Sequence, residues 1–228
     1  MQLRKIRAAL VLAAALAATA FGALGAAGVG DTAAAPGVQA GGAGGPLTTL
    51  GTITARLNGE PRTWYVVGDG ANDTGTWTEL NPGERLIAVA GFDTATPPVA
   101  SFTRDTAGRV TSYGGYDGSM LAIIVNVGAD PQPFRSTIPF DRYHSFVYVA
   151  DARQLDPARG PEGALRAIRI ADTGTLEVTS IGFVGGRAFL EGTFSGTLNE
   201  AAPGSTPLAV TDLRFEAKNL PQAGAARP

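Results

Sequence analysis

Three long segments of alternating apolar and polar residues, within residues 173–218, constrain the fold of this chain most. They read as two strands around a tight turn and a third strand that returns. One face of the second segment carries Leu190, Gly192, Phe194, Gly196 and Leu198, and the other face is polar. Because successive side chains of a strand point to opposite faces, this pattern gives one face to a core and the other to water. The stretch predicts an antiparallel architecture rather than a chemistry.

Glycines and one slip in the alternation refine this prediction. Gly185 and Gly186 are adjacent between the first two segments, where they can supply the positive φ angles of a tight hairpin turn. The two-residue period of residues 175–183 slips near Thr179, which predicts a bulge. Gly192 and Gly196 lie on the apolar face. They allow either the close approach of a large ring or second sheet, or a bend in a curved sheet.

Short apolar runs separated by turn residues fill the rest of the domain. The 31 Gly and 15 Pro punctuate segments rich in Val, Ile, Thr, Phe and Tyr, and no segment after the N-terminal one shows helical periodicity over three turns. Residues 120–127 are the most apolar run and are expected in the deepest part of the core. We predict an all-β fold, an antiparallel β-sandwich or β-barrel of roughly ten short strands.

Residues 1–30 have the pattern of a signal peptide. Basic residues occur at positions 4, 5 and 7, and an uncharged run rich in Ala and Gly follows over residues 8–29. A retained membrane anchor is the competing interpretation, because the run is long enough to span a bilayer. We predict export to the periplasm, the extracellular space or the cell surface, with no membrane span after signal cleavage.

The remaining chain divides into three parts. Residues 31–46 are low-complexity Ala/Gly/Pro sequence and are expected to form a flexible linker. Residues 47–220 suit a single all-β domain, and residues 221–228 a flexible tail.

The formal charge is −2, and without the three basic residues of the signal 15 basic residues face 20 acidic ones, which gives −5. This mildly acidic balance argues against nucleic-acid binding.

The sequence lacks the residues that many catalytic chemistries require. There is no Cys, which excludes thiol catalysis, disulfides and cysteine metal sites. His144 is the only histidine, and no phosphate-binding loop or dinucleotide fingerprint occurs. Residues 69–75 have the Asp, Asn and Gly content of a calcium loop, but tight turns use the same residues. We expect no enzyme, no cofactor and no metal site.

Aromatic residues beside glycine-rich loops are the candidate ligand-binding residues. Trp64 and Tyr65 are adjacent on a strand and cannot both be buried in the same core. Trp77, Tyr113 and Tyr116 could offer exposed rings to sugars or to partner surfaces. Capping of a sandwich edge is the alternative role for these rings.

Both ends of the domain carry patterned residues. Residues 53–64 read as a strand, an Asn-Gly turn and a strand with Trp, and the closing segments carry Gly-x-Phe-Ser-x-x-Leu and Val-Thr-x-x-x-Phe. These patterns resemble the start and close of a group of uncharacterised exported bacterial β-sandwich proteins of unknown function. The chain lacks the lipid-bearing Cys of several members, and Arg214 replaces a usual Gly. The resemblance implies a fold and brings no catalytic residues.

These observations favour a non-catalytic exported β-domain that acts as a binding or structural protein. Its partner would be a protein, a glycan or a second copy, the last through an open edge of the C-terminal strands. One alternative is a barrel-type carrier of a small apolar ligand, with residues 120–127 lining a cavity. Another is a glycan hydrolase that uses a carboxylate pair, which sequence alone does not reveal.

Overall fold

The fold is all-β, as predicted. The computed structural model describes residues 46–68, 73–95, 102–104, 110–113, 118–138, 145–154, 168–200 and 206–223. The strands are β1 (Thr48–Leu57), β2 (Glu60–Gly68), β3 (Gly75–Asn81), β4 (Glu84–Phe92), β5 (Phe102–Arg104), β6 (Val110–Tyr113), β7 (Ser119–Gly128), β8 (Phe134–Ile138), β9 (Phe146–Asp151), β10 (Ile168–Val184), β11 (Arg187–Glu200) and β12 (Leu208–Leu220). A 3₁₀ turn, Ala152–Gln154, follows β9. In these ranges no helix has the length and apolarity to cross a membrane.

Eight strands close into an antiparallel barrel. Their hydrogen-bonded order is β1, β2, β4, β7, β9, β10, β11 and β12, and β12 pairs back with β1. Barrel strands that follow one another in the chain are therefore neighbours, and β3, β8 and the β5–β6 pair are insertions. Of the two architectures that the sequence left open, the barrel is the one formed.

The strands β3 and β8 each pair with a barrel strand, along an edge on which that strand also pairs with another barrel strand. On one edge of β4, Phe92 pairs with β2 and residues 84–89 pair with β3. On one edge of β10, residues 168–170 pair with β9 and residues 174–178 with β8. The long strands β11 and β12 are paired on both sides in the barrel. The open edge that self-association through the C-terminal strands would require is therefore not found on these two strands.

The two hairpin turns adopt the backbone conformation that the sequence predicts. Asn58 and Gly59 have φ angles of 49° and 86°, and Gly185 and Gly186 have φ angles of 57° and 75°. Positive φ at both central residues is the requirement of a two-residue turn whose twist matches that of the flanking strands. The residues Asn-Gly and Gly-Gly meet this requirement with little strain.

The predicted bulge lies in β10. The pairing of β10 with β11 shifts between Val178 and Ser180, so Thr179 has no partner in the register. Thr179 donates its hydroxyl to the Glu191 carbonyl at 3.3 Å. The slip in the alternation therefore corresponds to a real irregularity of the barrel wall.

Glycines on β11 lie where neighbouring strands and rings approach closely. A Cβ atom at Gly192 would lie 2.2 Å from the Glu177 carbonyl oxygen and 2.6 Å from the Phe215 ring. A Cβ atom at Gly196 would lie 2.1 Å from the Thr173 carbonyl oxygen. Of the two explanations offered by the sequence, the close approach of a large ring therefore holds at Gly192, where the neighbouring strand also comes close.

The inward-facing side chains form the main core. Its largest fully buried members include Trp64 and Phe194, whereas Tyr65 on the opposite strand face is only half-buried. Nine of the ten residues of β7 are buried, which confirms the prediction for residues 120–127. On the opposite faces of β4, β7 and β9, a second apolar cluster contains Phe92 and Tyr148. Burial raises the pKa of the Tyr148 hydroxyl above its ordinary value.

Candidate functional site

The inward-facing residues become charged at one end of the barrel. At this end β1, β9 and β11 finish, and β2, β7, β10 and β12 begin. Deeper in the barrel the same strand faces carry apolar residues such as Trp64, Leu121, Val149 and Leu198. The last residues on these faces are Glu60, Arg62, Ser119, Asp151, Arg169 and Glu200. We call this end the charged mouth.

A pocket of about 380 Å³ lies at the charged mouth. This volume falls toward the small end of the roughly 300–1,000 Å³ typical of small-molecule sites. Apolar lining comes from Leu57, Val149, Pro207 and Leu208. Polar and charged lining comes from Asn58, Glu60, Arg62, Ser119, Asp151, Arg153, Gln154, Arg169 and Thr206. The pocket therefore offers an apolar surface beside both donors and acceptors.

Two of the three arginines of the pocket are paired with carboxylates. Arg153 makes a bidentate contact with Asp151, with Nε 2.8 Å from Oδ1 and Nη2 3.0 Å from Oδ2. Arg169 donates from Nη2 to Glu200 Oε1 at 2.9 Å and from Nη1 to the Thr206 carbonyl at 3.0 Å. These two pairs fix the position of both guanidinium groups and cancel their charge locally.

Glu60 and Arg62 are the charged lining residues that remain. Within the described part of the chain, neither side chain makes a hydrogen bond or an ion pair. They lie two residues apart on β2 and so share the strand face of the buried Trp64. The rise of a strand separates them by roughly 6–7 Å along its axis. Opposite charges are thus available to a ligand on one wall of the pocket.

A chain of hydrogen bonds connects the pocket to the core. The buried indole of Trp64 donates from Nε1 to Ser119 Oγ at 3.0 Å. The Ser119 hydroxyl donates to Asp93 Oδ2 at 3.0 Å, and the Ser119 backbone N–H donates to the same oxygen at 2.7 Å. These bonds hold the start of β7 against β2 and fix a polar group of the pocket.

Replacing Ser119 with alanine should remove the acceptor of the Trp64 indole. Because a buried donor left without a partner is unfavourable, we expect a loss of about 1–3 kcal/mol in the free energy of unfolding. Urea unfolding followed by tryptophan fluorescence measures it. Ser195→Ala on the exposed face of β11 is the control, expected within about 0.5 kcal/mol of the original. Equal effects of the two substitutions would show that the Trp64–Ser119 bond contributes nothing to stability.

The predicted ligand-binding residue Trp77 lies away from the charged mouth, beside the β10–β11 turn. Its side chain is 8 % exposed, and its Nε1 donates to the Gly186 carbonyl at 3.1 Å. The ring packs edge-on against Phe183, with centroids 5.0 Å apart, and the Arg85 guanidinium lies 5.5 Å from the Trp77 centroid. Trp77 thus packs against the barrel in this structure, and a ligand would find little of its ring accessible.

Most of the other candidate residues lie outside the part of the chain that the structure describes. Tyr113 is the last residue of β6, and Tyr116 and His144 lie outside the described residues, as do positions 69–72 of the calcium-like segment.

Sequence reasoning missed the charged mouth because its residues come from strands far apart in the chain. The available signal was the charged residue at the end of each alternating segment, such as Arg62 two positions before Trp64.

Among the residues that the structure describes, no group of three or more His, Cys, Asp or Glu side chains could hold a metal ion. The resemblance of both domain ends to exported β-proteins stays a prediction. No protein-family model, curated protein or solved structure matches this chain.

Proposed function

We propose that this protein is an exported, non-catalytic binding protein that holds a small polar molecule at the charged mouth. The observation that carries the proposal is the pocket of about 380 Å³ above a packed core, with charged side chains from several strands. Residues 1–30 would direct export to the periplasm, the extracellular space or the cell surface, and after their cleavage residues 31–46 would precede the barrel as a flexible segment.

The packing of the barrel supports a polar ligand at the mouth over an apolar ligand inside. Leu121, Ile123 and Val125 of β7 point inward and are fully buried in the core cluster. This arrangement supports a filled interior, whereas a carrier of apolar molecules would need these residues to line a cavity.

The ion pairs of the mouth support binding over hydrolysis. Both oxygens of Asp151 accept hydrogen bonds from Arg153, and Glu200 accepts one from Arg169. A hydrolase of the carboxylate-pair type needs one carboxyl group to exchange a proton and another to act as a base or nucleophile. Because guanidinium groups engage the Asp151 and Glu200 carboxylates, Glu60 is the one lining carboxylate of the described residues without such a partner, whereas this mechanism needs two.

Native mass spectrometry of the protein, purified from its own export compartment without removing ligands, tests the proposal. We expect an added small-molecule mass on the original protein. In the Leu208→Trp variant this mass should be absent, because Leu208 lines the pocket and a larger ring would fill it. The matched control is Val184→Trp near the β10–β11 turn, where Val184 is 71 % exposed, and it should keep the added mass.

Two results would contradict the proposal. One is a bare chain for the original protein, and the other is an equal added mass on both tryptophan variants. Ladders of copies would instead support self-association. Circular dichroism of both variants would confirm that each retains the barrel.

A further inference from the structure

We infer that the ligand of the charged mouth is a zwitterion with an apolar side chain, an amino acid or a short peptide. Its carboxylate would bind Arg62, and its ammonium group would bind Glu60. The inference rests on the proposed function and names the ligand class of the same pocket.

The balance of charges around the pocket leads to this class. The pairs Asp151–Arg153 and Arg169–Glu200 cancel internally, so Glu60 and Arg62 remain, with opposite signs. An anion without a positive group would be attracted by Arg62 but repelled by Glu60. A cation without a negative group would be attracted by Glu60 but repelled by Arg62. A ligand that carries both charges offers a partner to each residue.

The shapes of the two groups fit the two ends of a zwitterion. A guanidinium presents parallel N–H donors that match the two oxygens of a carboxylate, and such bidentate contacts are among the stronger hydrogen bonds. A glutamate carboxylate accepts the N–H donors of an ammonium group. Because both side chains project from the same face of β2, one small molecule can reach both.

The hairpin that carries Glu60 is anchored to the barrel. Asn58 donates its backbone N–H to the Ala209 carbonyl at 2.9 Å, and its Oδ1 accepts the Ala209 N–H at 2.9 Å. Arg56 also donates to the Gly59 carbonyl at 3.0 Å. These contacts place the β1–β2 turn against the start of β12, so that Glu60 and Arg62 project from a fixed strand.

The apolar lining selects the rest of the ligand. Leu57 and Leu208 are half-buried in the pocket wall, and Val149 is buried. An apolar ligand side chain placed against them would leave water, which is favourable. Leucine, phenylalanine and a dipeptide of the two are therefore suitable probes.

Isothermal titration calorimetry with leucine, phenylalanine and leucylphenylalanine tests the ligand class. For phenylalanine, the comparison compounds are N-acetylphenylalanine, which lacks the ammonium group, and phenylalaninamide, which lacks the carboxylate. We expect phenylalanine to bind about tenfold more tightly than either, because each loses a charge-assisted hydrogen bond.

Variants of the two charged residues assign each contact. Arg62→Gln should weaken phenylalanine binding about tenfold without weakening phenylalaninamide binding. Glu60→Gln should weaken phenylalanine binding similarly without weakening N-acetylphenylalanine binding. Arg214→Gln, on the exposed face of β12, removes a positive charge outside the pocket and should leave all affinities as they are.

The outcomes separate this inference from the proposed function. If none of the three zwitterions binds, or the blocked compounds bind as tightly as phenylalanine, the zwitterion inference is wrong. If in that case glucose or a blocked compound binds and Leu208→Trp abolishes its binding, the proposed function still holds. If no compound binds and no mass is retained on purification, both are wrong.

Discussion

Replacing Phe194 with alanine is expected to destabilise the barrel by about 3–5 kcal/mol. Phe194 lies on β11 and is 1 % exposed. Its ring fills space that two glycines leave open, because a Cβ atom would lie 3.0 Å from the ring at Gly174 and 2.8 Å from it at Gly196. At these two glycines the wall of the resulting cavity is backbone of paired strands, which cannot collapse inward without losing its register.

Thermal and urea unfolding measure this loss. In a chain of this size it corresponds to a fall in Tm of roughly 10 °C. Val184→Ala is the matched control on the neighbouring strand, because Val184 is 71 % exposed, and we expect it to change the free energy of unfolding by at most about 0.5 kcal/mol. A loss below about 1 kcal/mol for Phe194→Ala would mean that the core relaxes around the missing ring.

Local features of the fold could be predicted from the sequence because they depend on a few neighbouring residues. The turns at Asn58–Gly59 and Gly185–Gly186 follow from the freedom of these residues to adopt positive φ. The bulge at Thr179 follows from a break in the two-residue period. In both cases the backbone conformation and the residue that permits it lie in the same short segment.

Barrel closure could not be predicted, because it depends on which distant strands meet. The ring closes where β1 pairs with β12, with Ile53 opposite Phe215. Alternating segments suit a sandwich and a barrel equally well, since both need one apolar and one polar face per strand. Closure is a property of the whole set of pairings, and a single sequence does not specify those pairings.

The candidate site was missed for a related reason. Arg62, Asp151 and Arg169 each lie at the end of an alternating segment, where a charged residue ordinarily indicates solvent. Only the barrel brings these ends together as one pocket. Trp77 likewise depends on distant contacts, because its backbone N–H donates to the Pro221 carbonyl at 3.0 Å and its carbonyl accepts the Ala223 N–H at 2.7 Å. These contacts join residues that are far apart in the sequence, and they include part of the predicted C-terminal tail. The residues next to Trp77 in the sequence therefore do not reveal them.

The substitution Gly192→Ala tests the close approach of strands in the barrel wall, and we expect it to cost about 2–3 kcal/mol. The added methyl group would lie 2.2 Å from the Glu177 carbonyl oxygen and 2.6 Å from the Phe215 ring. The ring could turn aside, but the carbonyl belongs to β10, which is hydrogen-bonded to β11 along both sides of this point. Relief of the contact with the Glu177 carbonyl oxygen therefore requires the two strands to separate.

Two further variants distinguish the backbone contact from the ring contact. The control, Gly128→Ala, adds the same methyl group at an exposed strand end where the nearest atom is 4.0 Å away, and it should leave stability almost unchanged. Phe215→Leu removes the ring. We therefore expect Gly192→Ala to cost less free energy of unfolding in the Phe215→Leu background than in the original protein, but still to cost some. If Gly192→Ala cost nothing in the Phe215→Leu background, the whole loss of stability would come from the contact with the ring. The position of the Glu177 carbonyl would then place no constraint on this residue, and glycine would be needed there only to admit Phe215.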